Sequence, residues 1–313
     1  MRLVVVALLA LVLAACTADP GAVGSVPAPE PASGSTPPVA PSVSPTSEET
    51  IAAKPFPGPG ARLPNTAGGL LAELTSVNLT LKREIDRWTE AGGSLRDPAS
   101  RVVALGALRQ QQIFRELTVH PKRADEVMRR AGPKLRRVIQ QHIDAGRGLR
   151  SLVTPLERAG VLPVTPPHDP RLLRRLYERA AERFGLEWET LASLNFVESK
   201  FGRFMGPSSA GALGPMQFMP ATWDAYGNGG DVMDPRDAIP AAASYLVASG
   251  APEEMRSALF AYNRSYAYVD AIQTYARHMK RDPRNFYAYY FWQVFVITTK
   301  GDVQLSGPGT GTR

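Results

Sequence analysis

The sequence predicts a mainly α-helical protein, and three observations carry that prediction. Apolar residues recur at three- and four-residue steps over long stretches from Leu70 onward. Helix punctuation of the Asp-Pro and Gly-Pro kind separates those stretches. Strand-like alternation is missing until the last thirty or so residues, where one short C-terminal hairpin is expected.

The 313 residues do not all read as globular. The opening "MRLVVVALLALVLAAC" sets one Arg before an apolar run of about a dozen residues, too short to span a bilayer and laid out as an export signal. It ends at Leu13-Ala14-Ala15-Cys16, which resembles a bacterial lipobox, with Cys16 as the lipid acceptor. Cys16 is the only cysteine of the chain, so no disulfide forms within it. Residues 1–15 are therefore expected to be a lipoprotein signal peptide, and Cys16 to hold the mature chain at the outer face of the cytoplasmic membrane. Residues 16–66 are Pro, Ala, Ser, Gly and Thr with few large apolar groups, a composition that cannot offset its own ordering entropy and is expected to act as a disordered tether.

From Leu70, the stripe Leu70, Leu74, Val77, Leu81, Ile85 and Trp88 predicts the first amphipathic helix. Further helices are expected at about 98–118, 121–131 and 133–159, which together with the first form a helical N-terminal region at 67–165. Its basic runs, "KRADEVMRR" and "PKLRRVIQQH", read mainly as solvated helix faces. The net charge of +7 suits anionic wall polymers or lipid headgroups, and no nucleic acid is expected as the partner of an exported chain.

After the proline-rich boundary "VLPVTPPHDP", Asp169 reads as an N-cap, Pro170 as the first helical residue and Gly185 as the helix end. A second helix at about 187–199 contains "NFVESKFGR". At ~100° per residue, Leu191, Leu194 and Glu198 share one face, while Phe196 and Val197 occupy the other side. A carboxyl group in such company loses hydration and holds its proton toward neutral pH, as a general acid must. The alternative is an ordinary helix-end glutamate paired with Lys200 or Arg203.

Next, "GALGPMQFMPATW" sets a glycine-rich loop beside Met216, Gln217 and Phe218, and the Gln amide is a directional hydrogen-bonding group in an apolar wall. In "DPRDAIPAAASYL", Asp234 reads as N-cap and Asp237 as the reciprocal member of a capping box, so neither carboxylate is free for catalysis. "ALFAYN" then brings Tyr262 and Asn263 to the end of a helix that Arg264-Ser265 interrupts.

These four pieces in this order, "VESKFG", "GALGPMQFMPATW", "DPRDAIPAAASYL" and "ALFAYN", resemble the catalytic domain of the lytic transglycosylases, closest to the membrane-bound B type and its actinobacterial relatives. The resemblance covers about residues 170–280 and implies a lysozyme-like helical domain, related to goose-type lysozyme, at 168–281. An aromatic extension at 282–300 and a flexible tail at 301–313 are expected to follow. The resemblance implies a peptidoglycan substrate, with Glu198 as the single catalytic acid/base and Ser199, Gln217, Tyr262, Asn263 and Met216 at the substrate. It further implies cleavage between N-acetylmuramic acid and N-acetylglucosamine with a 1,6-anhydromuramoyl product, and no cofactor. A hydrolase on the same fold and a non-catalytic wall-binding lipoprotein are the competing functions.

Some B-type relatives carry an EF-hand-like calcium loop. The interval "DAYGNGGDVMDP" is too short for that ligand spacing, so no metal is expected, even with Asp224, Asn228, Asp231 and Asp234 close in sequence. Tyr287, Tyr289, Tyr290 and Trp292 read as packing residues rather than sugar platforms.

Overall fold

A computed structural model describes residues 55–160 and 162–310. The signal-like run, Cys16 and residues 17–54 of the expected tether lie outside the described residues, whereas its last residues, 55–66, pack on the helices, with Phe56 buried against Gly106. Among the described residues no helix is long and apolar enough to cross a membrane.

Four helices form the first half: α1 (Ala67–Glu90), α2 (Pro98–Val119), α3 (Pro121–Arg130) and α4 (Pro133–Arg150). The predicted stripe of α1, from Leu70 to Trp88, is buried along its whole length. Starts are set by local chemistry. Thr66 Oγ1 accepts from the Gly69 N–H at 3.1 Å and Asp97 Oδ1 from the Ala99 N–H at 2.8 Å, while Pro98, Pro121 and Pro133 occupy first-turn positions that need no donor.

Helix α4 ends at Arg150, short of the expected 159. Pro155 disfavours helix in the residue before it, and Leu156 is instead drawn into strand pairing, its N–H donating to Ile297 O at 3.0 Å and its carbonyl accepting from Thr299 N at 2.9 Å. The apolar period continued past the point where tertiary pairing took over.

Helices α5 (Pro170–Phe184) and α6 (Trp188–Ser199) follow, with Asp169 capping Arg171 N at 2.8 Å and Gly185 left-handed at φ 68°. After a long loop come α7 (Pro220–Tyr226), α8 (Pro235–Ala248), α9 (Met255–Tyr262), α10 (Tyr266–Arg281) and α11 (Arg284–Tyr290). The break between α9 and α10 falls at Asn263–Ser265, as expected, and Ser265 caps α10.

Asp234 caps α8, but Asp237 does not close a capping box. Its Oδ2 accepts from the Asp231 N–H at 2.9 Å, because the Asp234 N–H already donates to Asp231 O at 3.0 Å. An aspartate, one methylene shorter than glutamate, is used here to tie the preceding loop.

The chain ends in an antiparallel hairpin of β1 (Phe295–Thr298) and β2 (Gly301–Gln304), with Phe295 opposite Gln304 and Thr298 opposite Gly301. The two-residue connection is Thr299-Lys300, and Gly301, at φ 116°, opens the second strand. Strand β2 thus occupies residues expected to be a flexible tail. It is held by Asp302, which takes the Arg115 guanidinium of α2 and two 2.9 Å contacts from Arg150 of α4.

One hydrophobic core runs through both halves. Helix α10 packs on α4 on one side and α6 on another. Phe196 of α6 stacks on Tyr289 with ring centroids 5.2 Å apart and meets Tyr275 of α10 edge-on at 4.8 Å, while His142 of α4 hydrogen-bonds the Tyr289 hydroxyl at 3.0 Å. Tyr289, Tyr290 and Trp292 are buried, in agreement with the packing role read from the sequence.

Candidate active site

Helix α6 has no solvent face: every residue from Glu189 to Ser199 is buried. Glu198 is 5% exposed and its Oε1 accepts a hydrogen bond from the hydroxyl of Tyr268, on the first turn of α10. Burial pushes the Glu198 carboxyl up to about 7, against the opposing pull of the Tyr268 hydrogen bond and the positive charge of Lys200. An acid at that value is half protonated at neutral pH, the condition for donating a proton and then taking one back.

The pairing of Glu198 with Lys200 or Arg203 does not occur. Lys200 turns away, its Nζ 3.0 Å from Phe196 O and 4.3 Å from the centre of the Phe196 ring, and Arg203 donates to Tyr290 O at 2.7 Å. The cause is the helix end. Lys200 and Phe201 are left-handed at φ 54° and 60°, and Gly202 follows at φ 81°, so the chain reverses directly after Ser199. Left-handed non-glycine residues cost on the order of 1 kcal/mol or more each, and they persist where surrounding contacts over-determine them.

Those contacts come from Asn195 and Ser199. Asn195 Nδ2 donates to Pro215 O at 2.7 Å and to Ser199 Oγ at 3.1 Å, and its Oδ1 accepts from the Tyr177 hydroxyl. Ser199 Oγ lies 2.6 Å from Pro215 O and accepts from the Gly202 N–H at 2.8 Å. Two side chains of one helix thereby hold the glycine-rich loop beside Glu198.

Within that loop Gly214 has φ 74°, and a Cβ there would lie 1.9 Å from the Val232 carbonyl oxygen, so only glycine fits. Gln217 is also left-handed, at φ 51°. Its Nε2 donates to Gly214 O at 2.9 Å, whereas its Oε1 is buried without a partner. A buried acceptor left unsatisfied costs about 1–3 kcal/mol, and a ligand O–H or N–H would recover it.

The structure sorts the sequence-predicted residues into two groups. Glu198, Gln217 and Tyr262 are gathered around the loop, the Tyr262 hydroxyl donating to Met216 O at 2.7 Å, while Asn263 is buried at the end of α9 in extended conformation. Ser199, 1% exposed, and Met216, 0% exposed, are the most deeply buried of these residues. Ser199 spends its hydroxyl on Pro215 and Gly202, and Met216 offers the backbone oxygen that Tyr262 uses.

Tyr268 was missed by sequence reasoning. It sits 70 residues from Glu198, and its only local signal is a tyrosine in the first turn after the Ser265 cap.

Among the described residues, no second carboxylate contributes to the electrostatics of Glu198. Asp234 caps a helix, Asp237 bonds Asp231 N, and Asp231 Oδ1 accepts from Met233 N at 2.8 Å. Among the described residues, no group of three His, Cys, Asp or Glu side chains is placed to hold a metal ion.

A helical domain of lysozyme-like class, with one buried carboxylic acid beside a glycine-rich loop, is what this geometry amounts to. Residues 175–284 match the family model described as "Transglycosylase SLT domain", so that segment of the chain is similar to the transglycosylases of this family. A curated relative, "Membrane-bound lytic murein transglycosylase F" of Methylobacillus flagellatus, is 30% identical over 118 residues, covering 35% of this chain and 25% of the relative. This chain thus spans only a quarter of that relative's length. No solved structure matches it.

Proposed function

We propose that the protein is a peptidoglycan lytic transglycosylase that cleaves the β-1,4 bond from N-acetylmuramic acid to N-acetylglucosamine and leaves a 1,6-anhydromuramoyl end. The observation that carries this reading is one buried acid, Glu198, raised to about 7 with no carboxylate partner. Glycosidases that use water or a covalent intermediate employ a pair of carboxyl groups. A lone carboxyl group suffices where the substrate supplies both the stabilising group and the nucleophile.

In the first step Glu198 protonates the glycosidic oxygen as the bond from C1 breaks, and the 2-acetamido oxygen of the muramic sugar stabilises the positive charge at C1. In the second, the C6 hydroxyl oxygen attacks C1 and its proton passes to the Glu198 carboxylate, which restores the acid without consuming water. Tyr268 fixes Oε1 throughout, leaving the other carboxyl oxygen for the substrate. Gln217 Oε1 is the acceptor for a sugar or acetamido donor. Acid/base catalysis of this kind is worth roughly 10²- to 10⁴-fold.

The setting is the cell wall. An exported chain carrying lipid on Cys16, tethered through residues 16–66, would deliver the domain from the outer membrane face to the glycan strands. Mass spectrometry of purified wall digested by wild type and by Glu198→Gln tests the activity: anhydro ends that vanish in the variant support it, while reducing muramic ends indicate a hydrolase instead. Release of a Cys16→Ala protein from the membrane fraction tests the anchor.

A further inference from the structure

On the side of α6 away from Glu198 lies a cavity of about 70 Å³, lined by Arg115 and Thr118 of α2, His142 and Arg150 of α4, Phe196 of α6 with Lys200 at its C-cap, and Tyr275 of α10 among others. Two of these side chains, Arg115 and Arg150, are permanent cations, and Lys200 is an amine that burial lowers to about 7. Arg115 and Arg150 share the carboxylate of Asp302 and take up its oxygens. Among the described residues, Lys200 makes no ion pair: its ammonium meets the Phe196 carbonyl and ring. The Arg115 Nε–H is buried with no acceptor at all.

Such a wall has donors to spare and too few acceptors. Water occupies about 30 Å³ per molecule in the liquid, so the cavity has room for two waters or for one small tetrahedral ion. Two waters would leave the excess positive charge without a counter-ion, and an unpaired buried cation is costly. His142 adds no charge, because burial holds its imidazole down to about 4. A ligand with only acceptor atoms, a negative charge and a compact shape meets all three requirements.

We infer that this cavity is a binding site for one small oxyanion, of the inorganic phosphate or sulfate class, held by Lys200 and Arg115 behind the helix that carries Glu198. Occupancy reaches the acid through the shared helix end. Lys200 stands two residues beyond Glu198, and the positive charge it carries favours the carboxylate; a doubly charged anion draws at most one proton onto Lys200 and so leaves the surroundings of Glu198 more negative. The other groups that face Glu198, Tyr268 and Tyr262, are phenols and keep their protons. Bound anion therefore keeps Glu198 protonated to higher pH. This second consequence rests on the proposed role of Glu198, whereas binding itself does not.

The test uses inorganic phosphate against the full chain, read by thermal midpoint and calorimetry without any wall substrate. Wild type is expected to bind saturably above a chloride control of equal ionic strength. Lys200→Met keeps the packing over Phe196 and should bind about 10- to 100-fold more weakly, and Arg115→Lys, which keeps the charge but lacks Nε–H, about tenfold more weakly. Cooperative unfolding of both variants without phosphate certifies their fold. Absence of saturable binding by wild type, or undiminished binding by both variants, overturns the site. In a wall-cleavage assay, phosphate should then move the alkaline limb of the wild-type pH profile upward and leave that of Lys200→Met in place. A limb unmoved in wild type that does bind phosphate overturns the coupling and leaves the site standing.

Discussion

Replacing Glu198 by Gln should abolish turnover and yet stabilise the fold, by an amount that depends on pH. An ordinary glutamate titrates at 4.5, and Glu198 in the folded chain at about 7. Below pH 4.5 the group is protonated in both folded and unfolded chains, and Glu and Gln differ little. As pH rises past 4.5 the unfolded chain ionises freely while the folded chain still binds the proton, so wild type loses stability relative to the variant until the pH passes about 7. Two and a half pH units at about 1.4 kcal/mol each give about 3 kcal/mol at full effect. The Gln side chain still accepts from Tyr268 through its amide oxygen, which makes the exchange nearly isosteric. Urea unfolding of both proteins at pH 4.5 and pH 8.5 is the assay. The variant should gain about 3 kcal/mol on wild type between the two, while wall cleavage falls by roughly 10²-fold or more. A stability difference that does not change with pH would refute the claim that Glu198 is held protonated by burial.

Three further substitutions probe the support around that acid. Tyr268→Phe removes a hydrogen bond that favours the carboxylate, so the alkaline limb of the pH–activity profile should shift to higher pH and the thermal midpoint should fall. Asn195→Ala unties Tyr177, Ser199 and Pro215 at once and should cost roughly 2–4 kcal/mol in denaturant unfolding. Gly214→Ala sets a methyl group against the Val232 carbonyl at a left-handed position, and should cost at least about 2 kcal/mol and displace the loop, seen as lost midpoint and lost cleavage together.

What the sequence made legible was whatever neighbouring residues decide. Asp169-Pro170 and Gly185 bracket α5 because capping, the missing proline donor and left-handed glycine act within one turn. Glu198 stood out because its own helix offers it nothing polar to face. Tyr268 did not, since its partner is 70 residues away and a tyrosine near a helix start is unremarkable by itself. The alternative partner Lys200 shows a related limit. Two residues from Glu198 it looks like a salt-bridge partner, but the left-handed turn sends it to the opposite side of the helix. The end of α4 and the placing of β2 were lost in the same way, because Leu156 and Asp302 answer to partners far along the chain.

The N-terminal helices carry no residue of the proposed chemistry, yet the site depends on them through α10. That helix presents Tyr268 to Glu198 at one end and, two turns on, Tyr275 to both Phe196 and His142. Helix α4 packs along it, so the position of the Tyr268 hydroxyl is set partly by α4. Helix α2 reaches the same core by another path, Gln111 exchanging two hydrogen bonds with the backbone of Gln293 at 2.8 and 2.9 Å, next to Trp292. A helix like α6, apolar on every side, needs cover on every side. Helices α5, α8, α10 and α11 pack directly on it, and α2 and α4 line the cavity on its Phe196 side. The segment matched by the family model thus begins after helices that line the far side of α6, and burial is what raises Glu198 to about 7, the range the proposed chemistry needs of one carboxyl group.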